Sequence, residues 1–426
     1  MKKCMLLIVA VICLAVTSLA QEGSSNIHRT ARSLAPPPSA QIYYAGGPIM
    51  SGSTNVYVIY YGTWPSTSQS IVNTWLSHIG GTGLYNINTT YHDSTGAGVQ
   101  NVVHYTSSTN SYNDNYSLGK SLTDASIQTI VSNAIAAHHL PADVNGVYFV
   151  LTATDVNQSA FGGSLCGTYC GYHSPSTSIV SGDIIKYSIV GNSAKCPSAC
   201  DGNIVNADTT SPNGDVGADG AISVIYHELS ETVSDPNYGI SGAWGAGVSG
   251  ESGDLCAWNF GTWSTLPRAS NGSHYNVTIS SFNYLIQQMF QVSVPRPVSG
   301  TYYTGSCAIN LGTGTASVSP TSENFGTRYQ NDPPVNKTVT LTNTGTSTIT
   351  ITSIGASLSA PYTVTGTTCG STLGAGLNCS ITVTFRPADA AIGVNKDTLS
   401  IVDSAVNSPQ NVALTGTMRC PPAGCL

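Results

Sequence analysis

The sequence predicts an α/β domain, in which helices cover a mixed sheet in three layers, followed by a smaller all-β sandwich. Over most of the chain, segments with apolar residues at helical spacing alternate with short β-branched and aromatic runs, which is typical of an α/β domain. Near residue 313 the helical patterns stop, and short strands with alternating apolar and polar residues follow. The length of 426 residues also exceeds the usual size of one domain.

The N-terminus has the features of an export signal. Two lysines precede an apolar run from Met5 to Val16, and Ser18 and Ala20 supply the small residues that a signal peptidase reads. The run is too short to span a bilayer, and no later segment is long and apolar enough. We therefore predict a signal peptide over residues 1–20, a Pro-rich linker over 21–40, and secretion to the exterior, or to the periplasm of a Gram-negative host.

The composition excludes one class of partner. Charged residues make up 8% of the chain, against about 25% in an average soluble protein, and the formal net charge is −7. No basic patch is present that could release counterions from phosphates, so we expect no nucleic-acid partner. We also expect a monomer.

Ten cysteines follow the signal peptide, and an even number in an exported chain predicts disulfides. Two C-x3-C pairs also allow a four-thiolate zinc site, but zinc ribbons more often use C-x2-C, and the compartment is oxidising. The pairing stays open, except that Cys369 and Cys379 flank a Gly-rich turn and are expected to close a hairpin. The ten are Cys166, Cys170, Cys196, Cys200, Cys256, Cys307, Cys369, Cys379, Cys420 and Cys425.

The elements of the first domain, residues 41–312, alternate along the chain. Residues 55–61 and 146–151 are continuous apolar runs and are predicted as buried strands. Residues 68–79 and 121–138 carry apolar residues at helical spacing and are predicted as helices.

The predicted sandwich covers residues 313–418, and a tail with two cysteines covers 419–426. Its predicted strands are 338–342, 348–352, 380–385 and 398–402. The blocks Val318-Ser-Pro, Asn324-Phe-Gly, Leu341-Thr-Asn-Thr-Gly, Phe385-Arg-Pro and Leu414-Thr-Gly resemble the Hydin-type immunoglobulin-like domain, which is frequent in bacterial exported proteins. The resemblance implies a spacer or adhesion module and a bacterial source.

One helix carries a candidate metal site. An apolar pattern runs from Asp219, the predicted N-cap, to Pro236, which ends the helix. His227 and Glu231 are four residues apart and so project from one face, with Glu228 beside them. This arrangement resembles the zincin helix, in which two ligands stand at this spacing and the glutamate after the first is a general base on a metal-bound water.

A third ligand is available downstream. Glu251 follows Glu231 by 20 residues, which resembles the gluzincin arrangement, and Asp254 and Asp235 are candidates for bracing the ligands from outside. A mixed His and carboxylate set favours zinc or manganese over calcium, although an oxygen-rich site also suits calcium. The alternative is a partly exposed helix whose glutamates face water.

Two further candidates are weaker. The segment 213–220, rich in Asn and Asp, could hold calcium, but turns leading to a helix cap are the favoured interpretation. His173 follows Cys170 directly and is either an outer ligand or, as we favour, a loop residue.

The first domain as a whole resembles the phosphate-induced protein family, also called Exordium-like. The blocks that carry this resemblance keep their order: Tyr44-Ala-Gly-Gly-Pro, Asn55-Val-Tyr-Val-Ile-Tyr-Tyr-Gly, Leu140-Pro-Ala-Asp, Tyr148-Phe-Val-Leu-Thr, Cys166-Gly-Thr-Tyr-Cys-Gly-Tyr-His, Gly191-Asn, Cys196-Pro-Ser-Ala-Cys and Pro212-Asn-Gly-Asp-Val-Gly-Ala-Asp-Gly. The resemblance implies an extracellular protein with no established chemistry. Plant members carry a neutral segment where this chain has residues 227–235.

Two functions follow from these observations. The leading hypothesis is a secreted, zincin-like metallohydrolase, a peptidase in which Glu228 activates a water on zinc held by His227, Glu231 and Glu251, acting on a peptide or cell-wall substrate. The alternative is a non-catalytic extracellular protein associated with cell wall or glycan. The metal hypothesis requires Glu251 to lie close to both His227 and Glu231.

Overall fold

The computed structural model describes residues 40–245, 250–312, 314–345, 349–403, 405, 407–422 and 424–425. The predicted signal peptide and all but the last residue of the predicted linker lie outside these ranges. Within them, no helix combines the length and the apolar character that crossing a bilayer requires.

The first part of the chain combines short strands with a few helices. Its strands are β1 Gln41–Tyr44, β2 Gly52–Tyr61, β3 Val99–His104, β4 Ser111–Asp114, β5 Ser121–Thr123, β6 Gly146–Thr152, β7 Asn157–Ala160, β8 Gly163–Ser164, β9 Gly171–Ser176, β10 Ile185–Gly191, β11 Val277–Ile279, β12 Phe282–Tyr284, β13 Met289–Gln291, β14 Thr301–Thr304 and β15 Ser306–Ala308. Its helices are α1 Ser66–His78, α2 Ser107–Asn110, α3 Asp124–Ala136, α4 Pro197–Cys200, α5 Gly202–Val205 and α6 Val216–Ser234.

A mixed sheet forms the centre of this part, in the order β3-β2-β6-β10-β9, with β4 also paired to β2. Strands β2, β6 and β10 run parallel, and β9 joins β10 antiparallel as the edge strand. Every residue of β6 and β10 is buried, because other elements cover both faces of the sheet. The predicted mixed sheet is confirmed, and the two predicted strands lie within β2 and β6.

The helix predicted over residues 121–138 begins later than expected. Residues 121–123 form β5, which pairs with β7, and α3 starts at Asp124. Thr123 caps the helix: its Oγ1 accepts from the Ser126 N–H, and the Ser126 hydroxyl accepts from the Thr123 N–H. This reciprocal capping fixes the helix start. The other predicted helix, 68–79, corresponds to α1.

The prediction of Asp219 as N-cap is wrong. The N-cap of α6 is Asp215, whose carboxylate accepts from the Ala218 N–H at 3.0 Å. Asp219 lies in the first turn, where it accepts from the Ser211 hydroxyl at 2.6 Å and the Asn213 N–H at 2.9 Å. Asp219 therefore ties the preceding turn to the helix. This agrees with the interpretation of residues 213–220 as turns that lead to a helix cap.

The ten cysteines form five disulfides, as predicted, and the four-thiolate zinc alternative is wrong. Two parallel links, Cys166–Cys196 and Cys170–Cys200, join the segment before β9 to the segment between β10 and α6. The others are Cys256–Cys307, Cys369–Cys379 and Cys420–Cys425. The expected hairpin link is among them.

The second part is an immunoglobulin-like sandwich, as predicted. One sheet has the order β16-β18-β22-β20 and the other β17-β24-β23-β19-β21, and they enclose a core of their own. The strands are β16 Ala316–Ser319, β17 Ser322–Tyr329, β18 Val335–Asn343, β19 Ile349–Ile354, β20 Tyr362–Thr367, β21 Thr372–Leu373, β22 Asn378–Phe385, β23 Gly393–Asp403 and β24 Gln410–Arg419.

Removing one of the parallel disulfides is expected to weaken the first domain. In the double variant Cys170→Ser, Cys200→Ser, the loss of the crosslink should lower the free energy of unfolding by about 2–3 kcal/mol, because the unfolded chain gains freedom. Denaturant titration under non-reducing conditions measures this. The matched control is Cys420→Ser, Cys425→Ser, whose crosslink closes a short loop in the tail after β24 and should leave the unfolding of the first domain unchanged. Equal losses in both variants would contradict this account.

Candidate metal centre

The predicted metal-binding helix is buried on all sides. His227, Glu228 and Glu231 on α6 each have 0% of their surface exposed, and Gly217 to Ser234 are all buried. The alternative of a solvated helix face is therefore wrong. The acidic face is turned into the protein, where an unpaired charge is costly.

The edge strand β9 brings a second histidine to this helix. His173 is 1% exposed, and its Nε2 lies 3.4 Å from Glu251 Oε2 and 3.7 Å from Glu231 Oε2. Gly171 allows the approach, because a Cβ there would lie 2.7 Å from Val224 Cγ1 and 3.3 Å from Glu228 Oε1. The interpretation of His173 as a loop residue is wrong. Pro175 lowers the strand propensity of this segment, so the sequence does not predict a strand here. Proline is nevertheless tolerated on an edge strand.

The loop that carries Glu251 lies directly over the helix. The Gly253 N–H and the Asp254 N–H both donate to Glu231 Oε1, at 3.1 and 3.0 Å. Gly253 leaves no room for a side chain, since a Cβ would lie 2.6 Å from His227 Nδ1 and 2.8 Å from Glu231 Oε1. The loop therefore holds one oxygen of this carboxylate with its own backbone.

The residues predicted for the site lie in one cluster around Glu231. His227 Nε2 is 3.0 Å from Glu231 Oε1, whereas the short contact of Glu251 is with His173. Asp254 Oδ1 lies 3.7 Å from His227 Nε2, and its side chain is 28% exposed. His227 and Glu231 are thus in contact, and Glu251 joins them through His173, a histidine that the sequence did not favour.

Asp235 and Gln287 complete the surroundings. Asp235 is buried at the end of α6 and accepts from the Ala243 N–H at 2.6 Å. Gln287 was not predicted; its Nε2 lies 3.0 Å from His227 Nδ1 and donates to the Gly253 carbonyl at 2.8 Å. A glutamine far along the chain carries no sequence signal for this contact.

Burial dominates the protonation of the cluster. It raises the pKa of Glu228 and Glu251 well above the usual range, with the Glu231 charge adding to the effect. It also raises the pKa of Asp235 and of Asp254 to about 7. Burial lowers the pKa of His173 to about 4, so this imidazole is neutral at physiological pH.

Burial opposes the charged form of His227 too, but the adjacent Glu231 carboxylate outweighs it and raises the pKa of this histidine. Several polar atoms of the cluster have no hydrogen-bond partner among the described residues. They are His173 Nε2, His227 Nε2, both carboxylate oxygens of Glu228, both of Glu251, and Asp235 Oδ2. Such atoms are expected to have a partner in a native protein, and a divalent cation would supply one.

The donor set fits a cation. Ligand atoms of His173, Glu228 and Glu231 lie within 4.8 Å of one another, and so do those of His227, Glu231 and Asp254. Zinc bonds to nitrogen and oxygen measure about 2.0–2.2 Å, so two ligands of one ion stand between about 3 and 4 Å apart. The distances of 3.0 to 3.7 Å between the two histidines and the nearest carboxylates are in that range, so these residues could hold a divalent cation.

The family model for the phosphate-induced protein 1 conserved region matches residues 42–297, and the model of a HYDIN/CFA65/VesB-like Ig-like domain matches residues 315–417. Protein EXORDIUM-like 3 of Arabidopsis thaliana is 32% identical over 68% of this chain and 86% of its own length. Protein EXORDIUM-like 5 of the same plant is 33% identical over 57% of this chain and 67% of its own length.

Among solved structures, that of the Vibrio cholerae VesB protease is 18% identical over 32% of this chain and 42% of its own, with a TM-score of 0.20. A likeness this small supports no statement about activity. The family model, in contrast, covers more than half of the chain, and its match begins and ends within the first domain. This chain belongs to the phosphate-induced protein 1, or Exordium-like, family.

Proposed function

We propose that this chain is a non-catalytic, extracellular member of its family, associated with cell wall or glycan, in which a buried divalent cation holds the first domain together. Its five disulfides support an oxidising location, because such links persist outside the cytosol. The resemblance to Exordium-like proteins supports an extracellular one.

The observation that carries the proposal is an excess of buried acidic groups without a positive partner. No lysine or arginine among the described residues forms an ion pair with Glu228 or Glu251, and the neighbouring His173 is neutral at physiological pH. The five Lys and Arg side chains of this domain lie elsewhere. Lys120 contacts Asp155, Lys186 the Val144 carbonyl, Lys195 the Thr154 carbonyl and Arg268 the Gly272 carbonyl, and Arg296 lies beside Gly96. Buried carboxylates in this state require either protons or a metal ion.

Burial favours a structural cation over a catalytic one. A catalytic zinc keeps one coordination position open for water or substrate. In this cluster His173, His227, Glu228, Glu231 and Glu251 are each 0–1% exposed. Only the Asp254 side chain, among the groups described here, reaches solvent appreciably.

The ligand chemistry favours zinc or manganese over calcium. Calcium sites are built from six to eight oxygens, whereas this cluster offers two imidazoles together with carboxylates. Zinc and manganese accept both kinds of donor.

Each chain of the purified protein is expected to bind at least one zinc or manganese ion. The ion should raise the melting temperature, because it binds the folded state. In Glu231→Gln the bound metal and the melting shift should both be lost. Metal analysis and thermal unfolding after incubation with each ion measure this. The matched control Glu323→Gln, in the sandwich, should keep both. A wild-type chain that binds neither ion would end the proposal.

Without metal, the first domain should become less stable as pH rises. Asp235 and Asp254 have a pKa raised to about 7 from 3.8, so the folded state keeps protons that the unfolded state releases near pH 4. The melting temperature of chelator-treated protein should therefore fall between about pH 4 and 7, by several degrees. Asp254→Asn should flatten this dependence, whereas Asp397→Asn in the sandwich should leave it unchanged. A melting temperature that rises over this interval would contradict the pKa directions.

The second candidate is a zincin-like metallohydrolase with a three-layer fold, and one observation favours it. Glu228 follows His227 directly, and neither of its carboxylate oxygens has a hydrogen-bond partner among the described residues. Its raised pKa suits a group that accepts a proton from water and later gives it to a leaving amine. A bound zinc would supply a Lewis acid that lowers the pKa of that water.

Incubation with unfolded casein separates the two candidates. The non-catalytic proposal expects no cleavage that depends on zinc or manganese. The hydrolase expects cleavage that a chelator abolishes and that Glu228→Gln reduces by at least about 100-fold, since this change removes the base. Peptide release measured by mass spectrometry is the readout, with Glu323→Gln as the control for sample contamination. Zinc-dependent cleavage that Glu228→Gln abolishes would replace the first proposal with the second.

A further inference from the structure

The carboxyl ends of three parallel strands lie level at one edge of the central sheet. Tyr61 at the end of β2 pairs with Thr152 at the end of β6, which also pairs with Gly191 at the end of β10. The chain leaves β2 toward β3 and β4 on one side and leaves β6 toward β10 on the other. Neighbouring strands whose chains depart in opposite directions leave a crevice beyond their ends, and open α/β sheets bind ligands there.

A cavity of about 460 Å³ occupies this position. Its volume lies within the range of about 300–1,000 Å³ that is usual for small-molecule sites. The N-cap of α6, Asp215, forms part of its lining. The segments that follow the three strands form most of the rest, through Thr63, Thr67, Thr154, Asp155, Asn192 and Ala194.

Contacts between these segments hold the lining in place. Lys195 Nζ donates to the Thr154 carbonyl at 3.1 Å, which ties the chain after β10 to the chain after β6. The Tyr116 hydroxyl donates to Asp155 Oδ1 at 3.0 Å and accepts from the Thr63 N–H at 3.1 Å, which ties the chain after β6 to the chain after β2. A lining whose segments are already joined needs little ordering when a ligand binds.

The lining offers hydrogen-bond acceptors and donors side by side. Asp155 and Asp215 supply carboxylate oxygens, and the hydroxyl groups of Thr67 and Thr154 can both donate and accept. Pro65, the N-cap of α1, also lines the cavity and has no side-chain acceptor for the backbone N–H groups of the first turn. Because every hydroxyl group of a sugar both donates and accepts, this mixture suits a ligand with many hydroxyl groups.

The charges at the cavity disfavour an anionic ligand. Among the described residues no lysine or arginine lines it, whereas two aspartates do. The ammonium group of Lys120 contacts the Asp155 carboxylate at 2.6 Å and is therefore already paired. The turn after β2, Gly62-Thr-Trp-Pro, has no glycine-rich sequence of the kind that surrounds phosphates. A neutral sugar fits this lining better than a phosphate or an acidic sugar does.

We propose that this cavity is a glycan-binding site for one or two neutral sugar rings. The proposal rests on the proposed function for its class of ligand, because it locates the glycan association named there. The site is separate from the cation cluster. Asp215 at the cavity and Glu231 in the cluster are about 24 Å apart along α6, at about 1.5 Å per residue.

Calorimetry of the full-length protein tests the class of ligand. The probes are cellotetraose, xylotetraose, mannotetraose and chitotetraose, which are neutral, and tetragalacturonate, which is anionic. At least one neutral tetrasaccharide should bind, and tetragalacturonate should bind at least about 10-fold more weakly, because the lining carries carboxylates. Tighter binding of tetragalacturonate than of every neutral probe would overturn the proposal.

Sedimentation of the same protein with insoluble cellulose and chitin tests the glycan association by itself. A chain that sediments with either polymer but binds no neutral tetrasaccharide keeps the proposed association and refutes this site. A chain that binds a tetrasaccharide but neither zinc nor manganese refutes the proposed cation and leaves this site standing.

Two variants test the position of the site. Thr67 and Ala194 are exposed and line the cavity from different segments, so Thr67→Trp and Ala194→Trp should fill it without disturbing the core. Each should weaken tetrasaccharide binding by at least about 10-fold, because the indole takes the place of a sugar ring. The matched control Thr129→Trp, at an exposed position of α3, should bind as the wild type does.

Metal content and circular dichroism should be the same in all three variants and the wild type, since the cation cluster is remote from each change. Wild-type affinity in both cavity variants would place the glycan elsewhere on the chain and overturn the proposal.

Discussion

The carboxylate of Glu231 is the point on which the first domain depends. It is fully buried, and it lies where a helix, an edge strand and a loop meet. The loop donates two backbone N–H groups to one oxygen, and imidazoles from the helix and the strand face the two ends. Hydrogen bonds to a charged group are stronger than neutral ones, so this carboxylate orders segments that are far apart in sequence.

Two disulfides and two glycines hold together the same junction, the place where the helix α6, the edge strand β9 and the loop after residue 250 meet. The two parallel disulfides tie the chain before β9 to the chain between β10 and α6, and so fix the edge strand relative to the helix. Gly171 lets that strand approach Val224, and Gly253 lets the loop reach the ring of His227. Both glycines stand where a Cβ would collide with groups that the junction needs in place.

Apolar patterns were sufficient for the parts of the fold that they describe. Strands β2 and β6, the helix α1 and the sandwich follow directly from apolar spacing, because burial on a sheet or one helix face leaves a period in the sequence. The surroundings of α6 left no such period. The second face of this helix is polar, so its sequence predicts a solvated face. In the structure it is buried by backbone N–H groups and by His173, on a strand that contains Pro175. A contact made by backbone, or by a single side chain on an irregular edge strand, has no pattern to detect.

The choice between the two functions depends on whether Glu228 is a metal ligand or a general base. A carboxylate that binds the cation through its lone pairs is not free to take a proton from water, so a Glu228 that is a ligand cannot also be the general base. In the zincin arrangement the histidine before this glutamate binds the metal and leaves the glutamate free. In this chain Glu228 is 0% exposed, and its ligand atom lies within 4.8 Å of those of His173 and Glu231, so it stands among the buried donors and not apart from them. The position of Glu228 therefore supports the non-catalytic proposal in the same direction as its burial does.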